Sequence, residues 1–145
     1  MAVAERRANV VWNGHLFQGS GTFDLASSEA AQGLPVTWAS RTERPDGKTS
    51  PEELIAAAHA SCFAMAFSNT LAEQGNEPEE LNISAVCTFD VDQLKITTVV
   101  LDVHGRVPGL DAEGFQNAAE QAEQGCSVSN ALRGNVDIQV NVSLD

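Results

Sequence analysis

"SPEELIAAAHASCFAMAFSN", residues 50–69, decides the fold. Ser50-Pro51-Glu52-Glu53 reads as a helix start: a serine cap, proline at the first helical position where its missing N–H does no harm, and a glutamate placed to close a capping box. Glu52 and Glu53 also favour the positive end of the helix dipole. From Leu54 to Phe67 only His59 and Ser61 are polar, and Cys62 sits near the middle of that run. Gly75 is the expected stop, which predicts a helix of about 24 residues, roughly 36 Å long. Being apolar on most faces, it must be covered nearly all round. A chain of 145 residues can hardly do that alone, so a partner subunit is expected.

The flanking sequence supplies strands. Asn9 to Leu25 alternates short apolar runs with Asn13-Gly14 and Gly19-Ser20-Gly21, which reads as short antiparallel strands around an Asn-Gly hairpin. "PVTWAS" (35–40) reads as another strand, followed by a polar loop over 41–49. Beyond the acidic turn, residues 81–90 place Leu81, Ile83, Ala85, Cys87 and Phe89 inward in a half-buried strand. Lys95 to Val107 is long and β-branched, a second strand. Asp111 is placed to cap an amphipathic helix that buries Phe115, Ala118, Ala119 and Ala122 and ends at Gly125. A short helix then begins at or beside Cys126, and Val136, Ile138, Val140, Val142 and Leu144 alternate in a last strand. The order β-α-β-β-α-β predicts an α+β domain over residues 1–145, with an antiparallel sheet and helices on one side.

Composition narrows the function. Apolar residues make up 43% and charged residues 19%, and the net charge is −12. Phosphate binding needs a basic surface, so nucleic acid is excluded as a partner, and an anionic membrane is disfavoured. The run Leu54–Phe67 is too short to span a bilayer. The N-terminus lacks an apolar core of signal-peptide length, which fits a cytoplasmic protein. Three cysteines, Cys62, Cys87 and Cys126, make a poor disulfide framework and fit a reducing compartment.

The thiols divide by position. Cys87 falls on the inward phase of its strand and reads as a small core hydrophobe. Cys62 on an apolar helix reads either as inert filler or as chemistry. Cys126 follows Gly125 at a helix start, where unpaired N–H groups favour a thiolate. Together, Cys62 and Cys126 suggest an attacking and a resolving thiol that pass through a sulfenic acid to a disulfide. His59, three residues before Cys62 and on the same helix face, is either a tuning group or a core histidine hydrogen-bonded to backbone. His15, His59 and His104 have no metal-ligand spacing, and no nucleotide-binding glycine motif is present.

Two segments carry a resemblance. "SPEELIAAAHASCFAMAFSNTLAEQG" resembles the signature helix of the OsmC/Ohr family of thiol-dependent hydroperoxide peroxidases. "GCSVSNALRGNVDIQVNVSL" resembles that family's second cysteine motif, with Ser127 where proline is usual. An opening Trp-x-Gly at Trp12 and the segment "VPGLDAEGF" extend the likeness over the chain. The resemblance implies an OsmC-like α+β fold: antiparallel sheets wrapped around two long central helices in an intertwined homodimer. It implies Cys62 as the peroxidatic cysteine, Cys126 as the resolving one, and Glu52 as the acid that holds a catalytic arginine. The Gly-Gly-Arg segment of the Ohr branch is absent, so the OsmC branch is indicated, with Arg41 as the best match for the arginine and Arg44 as its rival. The implied partners are a small hydroperoxide and an external dithiol of the lipoyl type, with no cofactor or metal.

Glu52 and Cys62 lie ten positions apart, about 15 Å along a straight helix. They cannot serve one thiolate within one helix. The expectation is therefore two active sites at a dimer interface, each built by both chains. Two rivals stand beside the peroxidase: an oxidant-sensing or ligand-binding dimer on the same fold, and an interaction module with structural thiols.

Overall fold

Short β-prone runs in the first fifty residues form a three-stranded antiparallel sheet in the order β1-β2-β3. Its strands are β1 (Asn9–Asn13), β2 (Ser20–Asp24) and β3 (Leu34–Val36), and β1 and β2 pair from Asn9↔Asp24 to Asn13↔Ser20. The computed structural model describes residues 2–145 and divides them into two compact units, one ending at Pro51 and the other spanning Glu52–Asp145.

Two readings of the first unit need correction. Asn13-Gly14 does not form a two-residue hairpin. The connection runs over 14–19, closed by the Gly19 N–H donating to the His15 carbonyl at 2.6 Å. A side chain on Gly19 would put its Cβ 2.4 Å from that carbonyl oxygen, so the loop tolerates only glycine there. The strand expected over 35–40 stops at Val36 and gives way to helix α1 (Trp38–Thr42). Thr37 and Ser40 are the reason. Each side-chain oxygen accepts the other's backbone N–H at 3.0 Å, a capping box that overrides the β-propensity of Val36-Thr37-Trp38.

The second unit begins with the long helix α2 (Pro51–Glu73), 23 residues starting at the proline as expected. Strands β4 (Glu80–Asp90), β5 (Lys95–Arg106) and β6 (Asp137–Leu144) form a sheet in that order, with α3 (Ala112–Gly125) and α4 (Ser127–Leu132) between β5 and β6. β4 and β5 are antiparallel, but β5 and β6 run parallel from Thr98↔Asp137 to Gly105↔Leu144. This sheet is therefore mixed where an antiparallel one was expected. A parallel neighbour requires a crossover connection, and α3 with α4 supplies it.

The period-two alternation of β4, β5 and β6 turns one apolar face inward, and the helices cover it. Phe63, Phe67 and Leu71 of α2 and Phe115, Ala118, Ala119 and Ala122 of α3 close over Val99, Leu101 and Val103 of β5. Three rings form the centre, with centroids 5.4 Å apart for Phe63–Phe67 and 4.9 Å for Phe67–Phe115. Burying each contributes about 1.5–3 kcal/mol.

Helix α2 is covered along one stripe only: Glu52, His59, Phe63, Phe67 and Leu71 are buried. Leu54, Ala57, Ala58, Ser61 and Met65 are exposed, Met65 at 68%. By length and composition the whole helix is apolar enough to cross a membrane, which the run Leu54–Phe67 alone did not suggest, yet 22% of its apolar window is buried inside the chain.

Gly105 shows how tightly the sheet and α3 meet. A Cβ there would lie 2.4 Å from Cζ of Phe115, whose ring is held by the core. Gly105→Ala should cost about 1–3 kcal/mol through overpacking, read as a lower urea midpoint. Gly125→Ala, where a Cβ meets nothing within 4 Å, is the control and should change stability little.

Candidate active site

Cys62 and Cys126, 64 residues apart in sequence, meet in the second unit. Their thiols are neighbours that influence each other's charge, and both are free. Two elements bring them together. Cys62 precedes Phe63 of the buried stripe by one position on α2 and is half-buried against the core. Cys126 is wholly buried at the joint between α3 and α4. It serves as C-cap of the first, with its N–H donating to Glu123 O at 3.3 Å, and as N-cap of the second, its carbonyl accepting from the Asn130 N–H at 2.9 Å. Ser127 occupies the first helical position of α4, where proline would be equally at home. The helix starts there without it.

The electrostatics of Cys126 differ from the sequence reading. A helix start was expected to favour the thiolate. Burial dominates instead and pushes the Cys126 thiol up from its ordinary pKa. The sulfur makes no full capping bond to the α4 backbone. The Ser129 N–H and hydroxyl approach it as weak hydrogen bonds that favour the thiolate, while the neighbouring Cys62 opposes it. At rest, Cys126 is a thiol with the Ser129 N–H and hydroxyl beside it.

Ser129 connects this sulfur to His59. His59 Nε2 and Ser129 Oγ are 2.7 Å apart, and both residues are wholly buried. The histidine was expected, as a core residue, to bond to backbone. Its partner is a side chain, and its Nδ1 is buried with no partner among the described residues. An unsatisfied buried polar atom costs about 1–3 kcal/mol. Burial lowers the His59 pKa, opposed by the negative charge of Glu123. That carboxylate is itself held by Arg133, whose Nη2 lies 2.5 Å from Oε1. Sequence reading missed Ser129, Glu123 and Arg133. The one available signal was Ser129 three residues after Cys126, the spacing of a helix-start pair.

The remaining candidates are placed as follows. Glu52 is buried in the first turn of α2, a ten-residue span of helix from Cys62. Arg41 lies in the last turn of α1 in the first unit, its guanidinium 5.7 Å from the centroid of the Trp38 ring. Phe17 meets that ring edge-on at 6.2 Å. Arg44 is exposed in the turn after α1. Cys87 faces inward from β4 and packs on the core; burial first, and the charge of Glu52 second, push its thiol up. That fits the reading of Cys87 as a core residue.

The sequence profile described as "OsmC-like protein" matches residues 44–141, which include Glu52, Cys62 and Cys126 but not Arg41. Peroxiredoxin OsmC of Escherichia coli (strain K12) is 36% identical over 135 residues, covering 92% of this chain and 93% of that protein. Organic hydroperoxide resistance protein-like 1 of Staphylococcus epidermidis is 31% identical over 105 residues, covering 70% and 75%. Among solved structures, an organic hydroperoxide resistance protein OsmC from Legionella pneumophila superposes with a TM-score of 0.72 over 99% of both chains at 24% identity. One from Elizabethkingia anophelis superposes with a TM-score of 0.73 over 99% of both at 21% identity. The fold is that of these proteins.

The burial pattern sets an order of thiol reactivity. At pH 8, iodoacetamide should alkylate half-buried Cys62 of the reduced folded protein at least about tenfold faster than wholly buried Cys126, because access governs the rate. Peptide mass spectrometry over a time course reads this. Equal labelling of both before denaturant is added would contradict the buried placement of Cys126.

Proposed function

This chain belongs to the OsmC-like family, whose relatives carry peroxide-related redox names, and on that footing we propose that it is a cysteine-based peroxidase acting on organic hydroperoxides. The observation that carries the reading is the approach of the Cys62 and Cys126 thiols, brought together from α2 and the α3–α4 joint.

The chemistry balances with two named co-reactants. The Cys62 thiolate attacks the distal oxygen of a hydroperoxide. An S–O bond forms, the O–O bond breaks, and the alkoxide leaves as alcohol after taking a proton. Sulfur is oxidised and the peroxide reduced by two electrons. The Cys62 sulfenic acid then condenses with Cys126: the S–S bond forms, the S–O bond breaks, and water departs. An external dithiol exchanges with the disulfide, restores both thiols and leaves as its own disulfide. Arg41 is the cation that favours the Cys62 thiolate and steadies charge on the leaving oxygen, and Glu52 holds its guanidinium.

The reading includes a homodimer. The uncovered face of α2 and the exposed Val10, Val11 and Trp12 of β1 are the apolar surfaces a second copy would cover. In that dimer Glu52 of one subunit serves Cys62 of the other, which resolves the separation along α2.

Cumene hydroperoxide consumption with dihydrolipoamide is the test. Cys62→Ser should abolish turnover and Cys126→Ser should prevent the intramolecular disulfide. Arg41→Ala should lower kcat/KM by about a hundredfold, as for loss of one charge-stabilising donor, with Arg44→Ala changing it little. Mixing Cys62→Ser with Glu52→Gln protein and allowing subunits to exchange should restore about a quarter of wild-type activity, since half the dimers then carry one intact site of two. Oxidation of Cys62 without turnover would transfer the function to oxidant sensing. A monomer in sedimentation equilibrium, or no recovery on mixing, would remove the shared site.

A further inference from the structure

Resting on the peroxidase reading, we propose that Ser129 and His59 form a buried proton relay that activates Cys126 for its attack on oxidised Cys62. Ser129 touches the reacting sulfur and is the catalytic member; His59 acts through it as a positioning residue and proton acceptor.

A neutral imidazole has one N–H and one lone pair, and a buried one held for packing satisfies both. His59 satisfies one. Nε2 lies 2.7 Å from Ser129 Oγ, and Nδ1 is buried without a partner among the described residues. Whichever tautomer is present, one nitrogen is left bare inside the protein. This cost sits one side chain away from a reacting sulfur. His59, Ser129 and Cys126 are all fully buried, so bulk water has no direct access to them.

Condensation needs a base at this point. Burial keeps Cys126 protonated, and a thiol is a poor nucleophile. As Cys126 Sγ bonds to Cys62 Sγ, its proton passes to Ser129 Oγ, and the hydroxyl proton of Ser129 passes to His59 Nε2. The S–O bond of the sulfenic acid breaks and hydroxide leaves Cys62. The imidazolium returns the proton through Ser129 to that hydroxide, so water departs. Nothing external is consumed. The charged groups around the relay suit a transient imidazolium. Glu123 of α3 is the acid acting on His59, and Arg133 at the end of α4 holds that carboxylate. Cys62, on α2 with His59, and Cys126 at the α3–α4 joint are the remaining titratable neighbours. Burial keeps His59 neutral at rest and free to accept.

The experiment separates the two steps. Reduced protein is mixed with one equivalent of cumene hydroperoxide and quenched at intervals with a sulfenic-acid trap and an alkylating reagent. Mass spectrometry then counts sulfenic acid at Cys62 and the Cys62–Cys126 disulfide. In wild type the sulfenic acid is short-lived. Ser129→Ala and His59→Gln should still form it but convert it to disulfide at least tenfold more slowly. Ser129→Thr, which keeps the hydroxyl, should come within about threefold of wild type, and near-wild-type thermal unfolding of each variant shows that the fold is kept. The pH profile distinguishes relay from packing. Below the usual histidine range, wild-type condensation should slow as His59 is protonated. In His59→Gln that limb should vanish and the rate should rise about tenfold per pH unit with the Cys126 thiolate. Disulfide formation at the wild-type rate and pH profile in Ser129→Ala and His59→Gln overturns the relay and leaves the peroxidase reading standing. Absence of any sulfenic acid or disulfide in wild type overturns both.

Discussion

A 23-residue helix that is apolar on nearly every face constrains everything else in this chain. Its own sheet and α3 cover a single stripe at Phe63, Phe67 and Leu71. The stripe recurs every four residues rather than every 3.6, so it drifts slowly round the helix, and His59 falls at its upper end. That placement takes the imidazole out of water and points it at the α3–α4 joint. Cys62 lies one position off the stripe and is only half-covered. Burial along α2 thus grades from the ring cluster, through the histidine, to a thiol at the margin. The remaining apolar surface, with Met65 at its centre, is what the proposed second copy would cover.

Two forces compete at Cys126. A helix start offers N–H groups to a thiolate; full burial removes the water that would solvate one. Desolvation of a charge costs several kcal/mol in a protein interior, while alignment with a helix end is worth about 1 kcal/mol or less at ordinary sites. Burial wins, and α4, with six residues, offers little counterweight. A thiol that rests protonated is protected from direct oxidation, and in the proposed reaction it has to be activated on demand, which is why the groups lying between it and His59 carry weight.

Much of this was legible from local pattern. The start of α2 at Pro51, the inward set on β4, the Asp111 cap with the buried face of α3, and the alternation of β6 all follow from spacing alone. Propensity misled at residues 37–40, where the reciprocal Thr37–Ser40 bonds outweigh β-branched and aromatic character. The parallel placement of β6 was invisible because alternation reports which face is buried and not which way a strand runs. Cys62 and Cys126 were named from the sequence because the order of two cysteine motifs is a property of sequence. Ser129 and Glu123 were not, since their importance depends on α4 folding back towards α2, a tertiary event 70 residues removed from His59.

The three thiols have one chemistry and three environments, and the differences come from neighbours rather than from the sulfur. Cys87 faces inward from β4, half-buried and under the negative field of Glu52, and both influences hold its proton on. Cys126 is pushed the same way by burial but has the Ser129 N–H and hydroxyl pulling against it. Cys62 is half-open like Cys87, but has a second thiol beside it. A sulfenic acid formed on Cys62 would have the Cys126 thiol as a neighbour. Reversible oxidation requires a resolving thiol nearer than the next oxidant molecule. Cys62 is the position in this chain where the described residues provide one.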